Sequence, residues 1–139
     1  MKLQHGFTAT DFAIIATVLA MAAAFAVPRF TAINTETRTS AVQSLAANVD
    51  SSATLSNKLW RTSGFKDSIV IEGKDVEMLN GYPSRSGIRP LIVNRSDFVY
   101  ANGIWTHKDR SNDPGCSVVY TPPVTEGGDA QVISYTSGC

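Results

Sequence analysis

Two cysteines, two histidines and one acid set against an apolar run are the residues here whose types and spacing bear on chemistry. Cys116 and Cys139 can join as a disulfide that closes a loop of about 24 residues, worth roughly 3 kcal/mol through the entropy it removes from the unfolded chain. The other reading is two unrelated thiols, and the bridge requires an oxidising compartment. His107 stands alone in "WTHKDR", without a Cys or second His at ligand spacing, and reads as a turn or surface residue rather than a metal ligand. Asp109, Asp113 and the run "EGGDAQ" carry acids without the spacing of a calcium loop, and turn chemistry accounts for them. No nucleophile elbow or phosphate loop frames the Ser, Asp and His that do occur. The expectation is a chain that is not an enzyme and uses no cofactor or metal.

The remaining oddity is Asp11. It precedes sixteen apolar residues, Phe12 to Val27, broken by Thr17 alone. Sixteen helical residues span about 24 Å, a little short of a ~30 Å hydrocarbon core, and the flanks from Phe7 and to Phe30 make up the difference. The preceding "MKLQHG" has Lys2 as its firm positive charge, which keeps the N-terminus cytoplasmic and sends the bulk of the chain outward. A cleaved secretory signal ending at "AFA" (Ala24 to Ala26) is one reading, with Pro28 a poor neighbour for the peptidase. A plain anchor is another, but it leaves Asp11 unpaired, at about 2.5–3.5 kcal/mol for an acid at a span's centre. Alanines at 13, 16, 20, 22, 23, 24 and 26 keep the segment slim, as in packed membrane helices.

Gly6, Phe7, Asp11 and Pro28 together, at these spacings ahead of and within the apolar run, resemble the leader and N-terminal helix of type IV pilins and their pseudopilin relatives. The resemblance implies a leader of residues 1–6, removed by prepilin peptidase between Gly6 and Phe7, with N-methylation of the new terminal Phe7. It implies a hydrophobic transmembrane and assembly helix over residues 7–30 and a globular pilin domain over 31–139. Asp11 then takes the place of the family's acid, and Pro28 that of its helix proline. One departure stands out: the family nearly always carries Glu where this chain has Asp11, and Thr8, Ala9 and Thr10 replace more apolar residues. Cleavage would expose a cationic amine, and Asp11 of a neighbouring subunit could neutralise it when helices stagger; each charge is costly in an apolar medium and tolerable as a pair. Asp11 near a helix start also suits the macrodipole, at about 0.3–1 kcal/mol.

The elements that would carry these residues follow from periodicity. Past Pro28, where the missing N–H predicts a kink or loosening near Ala24, Val42, Leu45, Val49, Ala53 and Leu59 or Trp60 recur at helical spacing. A helix from about residue 7 to 59 results, stopped in "RTSGFKDS" by Gly64. "SIVIEGKDVEML" predicts a hairpin turning at Gly73–Lys74, "DFVYANGIWTH" one turning at Asn102–Gly103, and "CSVVYT" with "AQVISYT" a third pair. "NGYPSRSGIRPLIVNRS" reads as a loop. The fold class expected is α+β, one long helix covering a small antiparallel sheet.

That plan is again pilin-like, and the family's C-terminal disulfide loop falls on Cys116 and Cys139. "NGYP" and "CSVVYTP…SYTSGC" resemble the mannose-sensitive haemagglutinin branch. The function implied is a structural subunit that polymerises into a cell-surface filament for adhesion or motility. The implied partners are further copies of itself, the peptidase and the inner-membrane assembly machinery. The precursor would sit in the inner membrane and the product in an extracellular pilus. A type II secretion pseudopilin, a minor or initiating pilin and a DNA-uptake pilin are the related alternatives; calcium-binding pseudopilins generally lack the terminal disulfide. Formal charge is zero, and Arg85, Arg89, Arg95 and Arg110 could form a basic patch only if two loops met, so nucleic acid gains no electrostatic support.

Overall fold

The computed structural model describes residues 8–93 and 95–139; side chains at 11, 12, 15, 18, 19 and 21–33 lie outside the description. The leader and cleavage pair, Gly6 and Phe7, fall outside the described residues altogether. Contacts divide the chain into two compact units between Glu36 and Thr37. In the first unit the backbone is helical from Ala9 onward, and the helical assignment of α1 (Ala9–Thr62) continues through Pro28. Among the described residues no helix is long and apolar enough to cross a membrane. Most of the apolar run from Phe12 to Val27 belongs to the side chains not described.

In the second unit the rest of α1 packs on antiparallel strands. The order is β1 (Ser68–Ile71), β2 (Lys74–Leu79), β3 (Tyr82–Pro83), α2 (Arg85–Ile88), a 3-10 turn at Arg89–Leu91, β4 (Phe98–Ala101), β5 (Ile104–His107), a 3-10 turn at Lys108–Arg110, β6 (Ser117–Thr121) and β7 (Gln131–Tyr135). β1, β2 and β3 form one sheet, and β4 to β7 form a second, each in sequence order. The fold is α+β, as the pattern of one long periodic segment followed by short alternating ones requires.

Strand alternation separates the faces of the larger sheet. Tyr100, Trp105 and Val118 sit opposite one another across β4, β5 and β6, and Tyr120 faces Val132. With Val42, Leu45, Val49 and Ala53 from α1 and Ile88 and Ile92 from the connecting segment, they make the main core. Trp105 and Tyr120 are wholly buried there. A second cluster joins Ile69, Val76 and Met78 of the smaller sheet to Trp60 near the helix end.

The predicted stripe holds through Ala53 and then changes character. Ser56 and Asn57 are buried, whereas Leu59 is exposed and Trp60 half-buried. Burial of an amide is tolerable here because Asn57 Nδ2 donates to the Gly81 carbonyl at 2.6 Å. The helix stops as expected, with Gly64 at φ +88°.

The first hairpin turns one residue earlier than predicted. Ile71 pairs with Lys74, so Glu72 and Gly73 form the turn, both at positive φ. Asn102 and Gly103 turn the β4–β5 hairpin as predicted. The segment read as a loop contains β3, α2 and a 3-10 turn, entered through a second Asn-Gly turn at Asn80 and Gly81. Glycine is required at 81, because a Cβ there would stand 2.9 Å from Trp60 Cζ3.

Candidate functional site

Of the residues singled out by sequence, the structure brings together the two cysteines, Arg110 with Asp113, and His107 with Asp109. Cys116 and Cys139 form a disulfide, with their Cα atoms 4.7 Å apart. Cys116 enters at the head of β6, where its amide donates to the Asp113 carbonyl, and Cys139 follows a turn closed by its own amide on Thr136 O at 3.1 Å. The bridge is surrounded by arginine-to-carbonyl bonds. Arg38 Nε of α1 donates to Cys139 O at 2.7 Å, and Arg110 Nε donates to Gly138 O at 2.7 Å. Gly138 N donates to Gly115 O, while Gly115 N donates to Asp113 Oδ1 at 2.9 Å. Asp113 therefore acts in a turn, as the sequence reading held, and also meets Arg110 at 3.4 Å.

Between the two cysteines the chain forms β6, a connection through Pro122 and Pro123, and β7. The connection is fastened at two points: Asn80 Nδ2 donates to Pro123 O at 2.8 Å, and the Tyr82 hydroxyl to Asp129 Oδ1 at 3.2 Å. Partial burial, then the bond to Asp129 and its charge, raise the Tyr82 pKa. Beside this connection lies an open groove of about 600 Å³, lined by Leu79, Arg85, Asn102, Thr121, Pro123 and Val124 among others, with Val124 93% exposed. Amides, hydroxyls, a guanidinium and apolar side chains in an open groove offer a contact surface rather than a closed reaction chamber.

Ser84 and Ser86, which line the groove, belong to a small polar cluster that sequence reasoning did not identify. Ser84 caps α2 by accepting from Gly87 N at 3.0 Å, and its hydroxyl and that of Ser86 each donate to Glu77 Oε2 at 2.6 Å. Those two bonds lower the Glu77 pKa. The signal available was Ser84 itself, a capping residue directly after Pro83.

His107 starts a turn, one of the two positions read from the sequence, but it is buried there rather than at the surface. Its ring sits edge-on to Phe98 at 5.3 Å, and Nδ1 accepts from the Asp109 amide, which starts the following 3-10 turn. A histidine satisfied by core packing and a cap explains its position without a ligand role. Among the described residues no three His, Cys, Asp or Glu side chains gather to hold a metal ion.

The arginines are split. The Tyr100 hydroxyl donates to the Arg85 backbone carbonyl, the Arg89 guanidinium lies 5.5 Å from its ring centroid, and Arg95 donates to Arg89 O. Arg110 is committed to the disulfide loop. Asp11 and Pro28 lie on α1, but their side chains are not among those described, so the assembly roles expected of them stay outside the described geometry.

Comparison with known family models, curated proteins and solved structures finds no match to this chain.

Proposed function

We propose that this chain is a structural subunit of a type IV pilus: exported, processed between Gly6 and Phe7, and polymerised through its N-terminal helix into a surface filament. The observation that carries the reading is α1. One helical assignment, Ala9–Thr62, bears Asp11 and Pro28 at its start and, past Thr37, the apolar stripe that holds a four-stranded antiparallel sheet. The disulfide loop that closes the C-terminal part supports the same reading, since such a bridge suits a domain exposed outside the cell.

On this reading the first half of the helix is the polymerisation element. Asp11 neutralises the methylated amine of a neighbouring Phe7 and sets register, more than it adds net stability. The open groove and the connection between β6 and β7 face outward and carry adhesion.

Replacing Asp11 with Ala tests the proposal. The expected result is normal accumulation of precursor in the inner membrane with few or no filaments in sheared surface fractions. Filaments as numerous and well formed as those of the parent would refute it. Abundance in those fractions also separates a major subunit from a pseudopilin or initiating subunit.

A further inference from the structure

We infer that Asn102 is a modification site: attack by the Gly103 amide converts its side-chain amide to a carboxylate, whereas Asn80, in the same dipeptide and the same kind of turn, is spared by the fold. The inference does not rest on the filament reading. Asn-Gly occurs at Asn80–Gly81 and again at Asn102–Gly103. Both pairs turn hairpins with each residue at positive φ, and both asparagines line the open groove beside the β6–β7 connection.

The reaction needs the glycine nitrogen, the asparagine side chain and water. The nitrogen, after losing its proton to base, attacks Asn Cγ. The N–Cγ bond forms, the Cγ–Nδ2 bond breaks, and Nδ2 leaves as ammonia with a proton returned to it. Water then opens the succinimide ring. Opening at Cγ gives Asp on the original backbone, and opening at the main-chain carbonyl gives isoaspartate, whose backbone runs through Cβ and Cγ. Glycine permits the close approach because it has no side chain to obstruct the nitrogen. The other asparagines precede Thr, Val, Lys, Arg or Asp.

At residue 102 the reacting groups are available. Asn102 is exposed, and among the described residues neither its side-chain amide nor the Gly103 N–H has a hydrogen-bond partner. Gly103 is anchored through its carbonyl oxygen instead, which accepts from Tyr120 N at 2.8 Å. At residue 80 the leaving group is tied. Asn80 is half-buried, and its Nδ2 donates to Pro123 O at 2.8 Å. The Gly81 carbonyl accepts from Asn57 Nδ2 at 2.6 Å, and the Trp60 ring lies close enough that a Cβ on Gly81 would stand 2.9 Å from it. Attack at Asn80 must first break the bond to Pro123, which slows the reaction about tenfold.

The consequence falls on the groove. Among the described residues lining it, Arg85 alone is charged, so a carboxylate at 102 takes the lining from net positive to neutral. Asp tolerates positive φ much as Asn does, and the hairpin accepts that product. Isoaspartate instead lengthens the backbone of a two-residue turn whose ends are fixed by the pairing of Ala101 with Ile104.

The test incubates the full chain in detergent micelles at mildly alkaline pH, in water enriched in heavy oxygen. Digestion then follows in ordinary water at mildly acidic pH, so that labelled acid marks reaction during the incubation alone. Peptide mass mapping is expected to find label at residue 102 about tenfold above residue 80. Label at 102 is expected to rise with pH, because the nucleophile is the deprotonated amide, and to divide between Asp and isoaspartate. In guanidinium with the bridge reduced, the two positions are expected to react at closely similar rates. Label at 102 no higher than at 80 in the folded chain, or the same excess persisting in guanidinium, would overturn the inference.

Discussion

Arg38 Nε donates to the Cys139 carbonyl oxygen at 2.7 Å, joining residues 101 positions apart. The helix thereby grips the last turn of the disulfide loop, and the bridge holds that turn within reach of the guanidinium. Two restraints on one terminus are coupled rather than independent.

Removing the bridge by Cys116→Ser with Cys139→Ser is expected to cost about 3 kcal/mol, from a loop of about 24 residues. Arg38→Ala alone is expected to cost about 1.5 kcal/mol, a hydrogen bond from a charged donor. In the chain without the bridge the same substitution should cost clearly less, because residue 139 is no longer held in place. Urea melts of the four species check this; strictly additive losses would show the two restraints to be separate.

Tyr120 is fully buried and its hydroxyl donates to Pro83 O at 2.7 Å. Burial, reinforced by the neighbouring phenols of Tyr82 and Tyr100, pushes its pKa well above the ordinary value. Folding thus favours the neutral phenol: the contribution is whole below pH ~10 and is lost as pH rises from there toward the folded value. Tyr120→Phe is expected to cost about 1–2 kcal/mol at neutral pH by leaving the Pro83 carbonyl unpaired. It should also flatten the fall in stability above pH ~10, measured by urea melts across the alkaline range.

Helix propensity favours Ala over Gly by about 1 kcal/mol within a helix. At Gly87 of α2 the opposite is expected. A Cβ there would lie 2.3 Å from the Glu77 carbonyl oxygen, a backbone atom held in β2 and already accepting from Ser84 N. Relief requires moving α2 off the sheet, so Gly87→Ala should destabilise by about 2–3 kcal/mol, the cost of overpacking. A thermal melt unchanged or raised would show that α2 moves freely.

The Glu77 carboxylate accepts from both Ser84 and Ser86, and its lowered pKa means the folded state favours the charged form. That contribution is present above the unfolded value of ~4.3 and is lost as pH falls through the lower folded one. Hydrogen exchange at the Gly87 amide, which the Ser84 hydroxyl holds, reports it. Exchange should be faster in Glu77→Gln than in the parent at pH 6, with the difference vanishing in strong acid.

Much of the fold was legible because its signals are local. Asn102 and Gly103 both adopt positive φ, which few residue pairs accept, so the dipeptide announced its own hairpin. Val42, Leu45, Val49 and Ala53 keep one helical face by spacing alone. The stripe was lost at Ser56 and Asn57, because the group that makes Asn57 burial affordable is the Gly81 carbonyl, 24 residues away. β3 and α2 escaped because two and four residues are too short to show a period, although Asn80–Gly81 and Ser84 carried the same turn and cap signals used elsewhere. His107 was read as a turn or surface residue from its lack of a ligand partner; the turn is there, but its burial against Phe98 is a product of strand register that spacing does not show. The disulfide was legible from cysteine count and loop length, but not its anchoring by Arg38 and Arg110.

The intact mass of the mature protein tests the proposed function most directly. The account predicts a chain of residues 7–139 bearing one added methyl group and lacking two hydrogens for the Cys116–Cys139 bridge. A mature chain beginning at Val27, or one that retains residues 1–6 in surface fractions, would contradict it.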